Sequence, residues 1–242
     1  MFPIRDSIPQ ERTPTVVYSL IIVNALIFFY QLNLSTIGTI NFLYTYGLVP
    51  YSYFQPDSQL RDGVTLYHMW PFLTASFLHG GWLHVIFNMW TLFIFGSTLE
   101  GRMGSLQFLM FYLCCAVASI YAHGYFNPTS EAPVIGASGA IAGVIGAYAL
   151  RFPTARITLL VPIIIIPLIF SVPALVYAAL WFGFQLLQGA WEALAPSMGG
   201  GIAWWAHIGG FIAGLVLLPV FLLFAPAHRP PRPTHWQRGP WD

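Results

Sequence analysis

A few polar side chains stand where an apolar sequence has least use for them. His84 and Asn88 lie four residues apart near the start of one hydrophobic run, Ser138 sits beside glycine at the start of another, and His207 opens a third. Positions i and i+4 share one helix face a turn apart, so His84 and Asn88 can aim donors at one point. The plain alternative is an interhelical polar pair, worth about 0.6 kcal/mol per contact in a membrane. In Gly136-Ala137-Ser138-Gly139 the serine hydroxyl falls at a helix amino terminus. Free N–H groups and the helix dipole favour a developing negative charge there. Equally, Gly139, Gly143 and Gly146 make a small-residue face of the kind that brings helices together. His207, in Ala206-His207-Ile208-Gly209-Gly210, precedes a second such face, Gly210 with Gly214. If the two faces pack, Ser138 and His207 meet at similar depth. A hydroxyl nucleophile, an imidazole base and two convergent donors are the parts that acyl transfer requires. No carboxylate adjoins His207, and Glu192 falls in the expected fifth loop, so a dyad fits better than a triad.

The elements that must hold these residues follow from composition. Of 242 residues, 57% are hydrophobic and 7% charged, against about 25% charged in a soluble domain. That excludes an ordinary globular protein, and the abundance of apolar residues excludes disorder. A net charge of +1 gives no ground for nucleic-acid binding. The only cysteines, Cys114 and Cys115, are adjacent in an apolar run. They offer no disulfide framework and no metal-ligand spacing, and are expected to be small packing residues. Neither a metal nor another cofactor is expected.

At about 20 residues per span, the apolar runs predict six transmembrane helices: 16–34, 82–99, 106–121, 135–150, 174–187 and 204–224. The first run lacks a cleavage site and is expected to be a retained signal anchor. Pro162, Pro167 and Pro173 break the apolar stretch before 174, since proline removes a donor and clashes with the preceding turn. Residues 161–172 are therefore expected as a bent approach along the interface. The polar stretch with Pro56, Asp57, Arg61 and Asp62 is expected to fold as a substantial first loop. Every cation is arginine: Arg5, Arg12, Arg102, Arg151, Arg156, Arg229, Arg232 and Arg238 fall on one side, Arg61 alone on the other. The positive-inside rule then puts both termini in the cytoplasm and the starts of helices two, four and six at the opposite face. From Ser138 to Leu150 the fourth helix has 13 residues. That is roughly 20 Å, short of a hydrocarbon core of ~30 Å, so either residues 132–137 dip into the membrane or the bilayer thins there. The expected architecture is all-α: a cytoplasmic segment 1–15, a six-helix membrane domain 16–224, and a Pro/Arg-rich cytoplasmic tail 225–242. The arginine pattern points to a plasma membrane of prokaryotic type.

These residues resemble the rhomboid family of intramembrane serine proteases, over nearly the whole chain. The resemblance rests on His79-Gly-Gly-Trp-Leu-His84-Val-Ile-Phe-Asn88, Leu99-Glu-Gly-Arg102, Gly136-Ala-Ser138-Gly139 and Ala206-His207-Ile-Gly-Gly210, in that order. It implies that Ser138 is the nucleophile and His207 the general base. It also implies that the Ser138 N–H with the His84 and Asn88 side chains forms an oxyanion hole. His79 matches a further family histidine that helps order water or substrate. The implied substrates are transmembrane segments of proteins in the lipid bilayer, cut near the extracytoplasmic face. The implied mobile cap and gate are the fifth helix and residues 188–203, with Gly199, Gly200 and Gly201. Two positions depart from the family pattern: Pro71 follows Trp70 where arginine is common, and Ala142 stands where an aromatic stacks on the histidine. An inactive, client-binding relative would lack Ser138 or His207. A channel would carry polar groups to both faces, whereas here they cluster toward one.

Overall fold

The computed structural model describes residues 2–55, 66–163, 166–194 and 202–225. Pro56, Asp57, Arg61 and Asp62 of the first loop, Gly199 to Gly201, and Arg229, Arg232 and Arg238 of the tail lie outside the described residues. A short strand, β1 (Phe2–Asp6), precedes helix α1 (Thr15–Leu32). The first loop carries α2 (Thr36–Tyr46), α3 (Pro50–Phe54) and α4 (Pro71–Thr74). Then α5 (Trp82–Thr91) runs through a π-turn into α6 (Ser97–Met103), and α7 (Ser105–Phe126) and α8 (Ser138–Arg151) follow. Strands β2 (Arg156–Ile163) and β3 (Ile166–Pro173) lead into α9 (Ala174–Leu194) and α10 (Trp204–Leu223). The chain is mostly helical. Among the described residues, four stretches are long and apolar enough to cross a membrane: Thr15–Leu32, Trp82–Met103, Ser105–Phe126 and Trp204–Leu223.

α8 is the shortest of the long helices at 14 residues, about 21 Å at 1.5 Å per residue. It is also the most enclosed, with every residue from Gly139 to Ala149 buried. Its glycines explain how. A Cβ at Gly210 would land on the Gly139 carbonyl oxygen, and one at Gly214 on the Gly143 carbonyl oxygen. From the other side, a Cβ at Gly143 would stand 2.9 Å from the Gly210 carbonyl oxygen and one at Gly146 2.9 Å from that of Phe211. The matched numbers rise together, so α8 and α10 run parallel with backbone against backbone. α7 closes on the same glycines: Cys115 packs where a Gly143 side chain would be, and Ser119 where a Gly139 side chain would be.

The chain before α8 is not helical, yet its backbone is satisfied. Leu48 and Val134 exchange N–H···O bonds (3.2 and 2.8 Å), Tyr51 N–H donates to Ser130 O (2.9 Å) and Gly136 N–H to Ala75 O (2.8 Å). The first loop thus supplies the partners that lipid could not. At the other end, buried Glu100 accepts from Val16 N–H (2.9 Å), Val17 N–H (2.8 Å), Thr15 Oγ1 and Ser105 Oγ. One carboxylate thereby satisfies orphan donors of the first turn of α1 and ties it to α6 and α7. Arg102 pairs with Glu11 at 2.6 Å.

The all-α expectation needs one correction. β1, β2 and β3 form an antiparallel sheet in that order, with Pro3 opposite Leu159 and Pro162 opposite Pro167. Residues 161–163 and 166–172 are therefore strand, not a bent approach. Prolines do forbid a helix there, but Ile, Val and Thr dominate the stretch and prefer a pleated surface. Ile157 and Leu159 alternate into the core. The amino-terminal segment belongs to the same sheet. Trp90 Nε1 donates to Pro3 O (2.7 Å), while Asp6 Oδ2 accepts from Thr98 Oγ1 (2.7 Å) and the Tyr148 hydroxyl (2.8 Å).

Because the helices meet backbone to backbone, a single methyl has nowhere to go. Gly210→Ala and Gly214→Ala are each expected to cost about 1–3 kcal/mol, read as a fall in Tm in detergent relative to the unsubstituted protein. Gly183→Ala is the control, since open space surrounds that glycine.

Candidate active site

Ser138 is the first residue of α8 and His207 the fourth of α10. The parallel glycine contact brings these two starts side by side. Ser138 Oγ lies 2.8 Å from His207 Nε2. The other ring nitrogen, Nδ1, lies 2.8 Å from the side-chain oxygen of Gln185 on α9. Trp181 and Trp204 flank the imidazole, with ring centroids at 5.8 and 6.1 Å. They supply the aromatic support that Ala142 does not.

His84 and Asn88 reach the same place from α5. Together with Ser138 and His207 they line a cavity of ≈ 1150 Å³, bounded also by His123, Glu192 and the 127–135 loop. Gly80 N–H donates to His84 Nδ1 (3.4 Å), which leaves the proton on Nε2. Gly136, at φ +121°, lets that edge of the ring approach: a Cβ there would stand 2.8 Å from His84 Cε1 and Nε2. The buried Asn88 Nδ2 has no hydrogen-bond partner among the described residues. An amide donor left unsatisfied inside a polar cavity is available to an incoming acceptor. A hydroxyl bonded to an imidazole, beside spare N–H donors, is a geometry able to attack a carbonyl and receive the resulting oxyanion.

A family model described as the Rhomboid domain matches residues 67–224. The chain belongs to the rhomboid family. It is 32% identical over 147 residues to the mitochondrial Rhomboid protein 1 of Saccharomyces cerevisiae, covering 59% of this chain and 39% of that protein. It is 32% identical over 139 residues to the Rhomboid protease GluP of Bacillus subtilis, covering 57% of this chain and 25% of that one. With the Rhomboid protease GlpG of Haemophilus influenzae it shares 28% over 148 residues, covering 61% and 67% of the two chains. The match spans less than half the length of the yeast relative and a quarter of GluP. Relatives come from mitochondria and from bacteria alike, so they do not favour the prokaryotic plasma membrane that the arginine pattern suggested.

Other positions in this rhomboid differ from what the sequence suggested. His79 does not line the cavity. It is buried behind His84, ring centroids 5.0 Å apart, and its backbone is clamped by Gln31, which accepts from its N–H and donates to its carbonyl. Burial first, and His84 second, push the His79 imidazole down to about 3, so the ring is neutral at ordinary pH. Glu192 belongs to α9 rather than a loop, because the helix continues to Leu194. Gln185 was not singled out from sequence, although the rule that exposed Ser138 applies to it: a polar side chain inside an apolar helix.

Since Gly136 combines a left-handed φ with the close approach of His84, Gly136→Ala is expected to cost about 1–3 kcal/mol. Thermal unfolding in detergent checks this, with Gly101→Ala, which meets no neighbour, as the reference.

Proposed function

We propose that this rhomboid is an intramembrane serine endopeptidase that cuts transmembrane segments of membrane proteins with Ser138 as nucleophile and His207 as base. The observation that carries the proposal is the 2.8 Å contact of Ser138 Oγ with His207 Nε2 beside a cavity into which His84 and Asn88 also face. In this account α1, α5–α6, α7, α8, α9 and α10 are six spans with both termini cytoplasmic. The positive-inside rule favours that orientation, and it opens the cavity on the extracytoplasmic side, near which the substrate is cut.

His207 Nε2 takes the proton from Ser138 Oγ as the oxygen attacks the scissile carbonyl carbon. The negative oxygen of the tetrahedral intermediate receives hydrogen bonds from His84 Nε2–H, Asn88 Nδ2 and the Ser138 N–H at the start of α8. The imidazolium then gives its proton to the leaving amine, the C–N bond breaks, and an ester to Ser138 remains. Water entering through the cavity loses a proton to His207 and attacks the ester, which releases the new carboxyl terminus and restores the hydroxyl. The neutral His79 acts behind His84, as a packing support for its ring. Gly136 and Gly139 serve the site by giving His84 and α7 room.

Cleavage of a tagged single-span substrate in liposomes tests the proposal. Product from the unsubstituted protein, and none from Ser138→Ala or His207→Ala, is the expected result; equal cleavage by all three would refute it. Asn88→Ala is expected to lower kcat by about 10²–10³ with KM little changed, because its donor is used only once the oxyanion forms. No cleavage by any of the three, with the substrate still captured, would turn the assignment to an inactive client-binding member.

A further inference from the structure

The imidazole of His207 is held at both nitrogens. Nε2 faces Ser138 Oγ and Nδ1 faces Gln185 Oε1, each at 2.8 Å. A neutral imidazole has one N–H and one lone pair. Donating Nδ1–H to the Gln185 oxygen leaves the lone pair on Nε2, aimed at the serine hydroxyl. The opposite tautomer would set a nitrogen lone pair against an oxygen lone pair. Gln185 is only 4% exposed, so bulk water is not at hand to replace it.

Gln185 also stands at a telling place on α9. Ala174, Tyr177 and Ala178, buried in the first half of the helix, anchor it, with Tyr177 stacked on Phe95 at 5.5 Å. In the second half only Gln185 and Gly189 are buried, while Phe184, Leu186, Leu187 and Trp191 are exposed. Gly189 has no side chain of its own and lies against Ile208, Trp204 and Trp205 of α10. The bond from Gln185 to His207 is therefore the side-chain hydrogen bond that joins this half of α9 to α10 among the described residues.

We propose that Gln185 is a positioning residue for the His207 base, selecting its tautomer and fixing its ring, so that the base is competent only while α9 is seated against α10. This rests on the assignment of Ser138 and His207 as nucleophile and base. The pair is then an uncharged triad, in which an amide takes the orienting place that a carboxylate holds in other serine hydrolases. Neutrality suits the setting, because a carboxylate at this depth would itself need a charged partner. The other titratable side chains that line the same cavity are Ser138 itself, His84 on α5, His123 on α7, Glu131 in the 127–135 loop and Glu192 on α9.

The test uses the full chain in liposomes, with Gln185→Leu and Gln185→Glu compared with the unsubstituted protein for substrate cleavage and for labelling of Ser138 by a fluorophosphonate. Gln185→Leu is expected to lower kcat about 10- to 100-fold with KM within about twofold, and to slow labelling in proportion. Gln185→Glu keeps the acceptor and is expected to retain most of kcat at high pH. Its carboxylate favours the imidazolium, so the acidic limb of kcat should move to higher pH by about one unit or more. A residue that merely packs would leave that limb in place and lower Tm alike in both variants, and this result would overturn the proposal. Labelling of Gln185→Leu as fast as the unsubstituted protein would overturn it too, with the serine–histidine assignment intact. If the unsubstituted protein neither cleaves nor labels at Ser138, that assignment fails and the proposal with it.

Discussion

At the centre of the bundle two backbones meet directly. Gly139 and Gly143 on α8 face Gly210 and Gly214 on α10 with no side chain between them. In lipid there is little hydrophobic drive for helices to associate, so the gain comes from close van der Waals packing that only small residues permit. That contact sets the register of two parallel helices, and Ser138 and His207 each lie within the first turn of one of them. The distance from Ser138 to His207 is thus a consequence of where the glycines fall. Moving either helix by a residue would rotate its group about 100° away from its partner.

The rest of the fold can be understood as what makes such a contact tolerable in a membrane. The chain before α8 runs without helical hydrogen bonds, and Leu48, Tyr51 and Ala75 supply partners for it. The first loop is in this sense part of the site, because it holds Gly136 in the conformation that admits His84. On the opposite side Glu100 gathers α1, α6 and α7 through four acceptor contacts. Asp6 joins the amino-terminal strand to α6 and α8.

Much of this was legible before any coordinates. Charge scarcity and arginine placement gave a membrane bundle, and the glycine spacing in helices four and six predicted which faces would meet. What escaped was of two kinds. The sheet was hidden because prolines argue only against a helix, and a run such as Arg156–Ile163 gives no alternation strong enough to announce a strand. Gln185 was hidden because orientation by a neutral amide leaves no charge to notice, and its sequence distance from His207 says nothing of contact. His79 marks the reverse case: its motif implied a place at the cavity, while packing puts it one layer behind.

The central claim is that Ser138 is activated by His207 through the contact that the glycines enforce. Mass-spectrometric mapping of a fluorophosphonate adduct on the membrane-embedded protein and on His207→Ala tests it most directly. The account predicts one modified residue, Ser138, in the first sample and none in the second. An adduct on another serine, or on Ser138 regardless of His207, would contradict it.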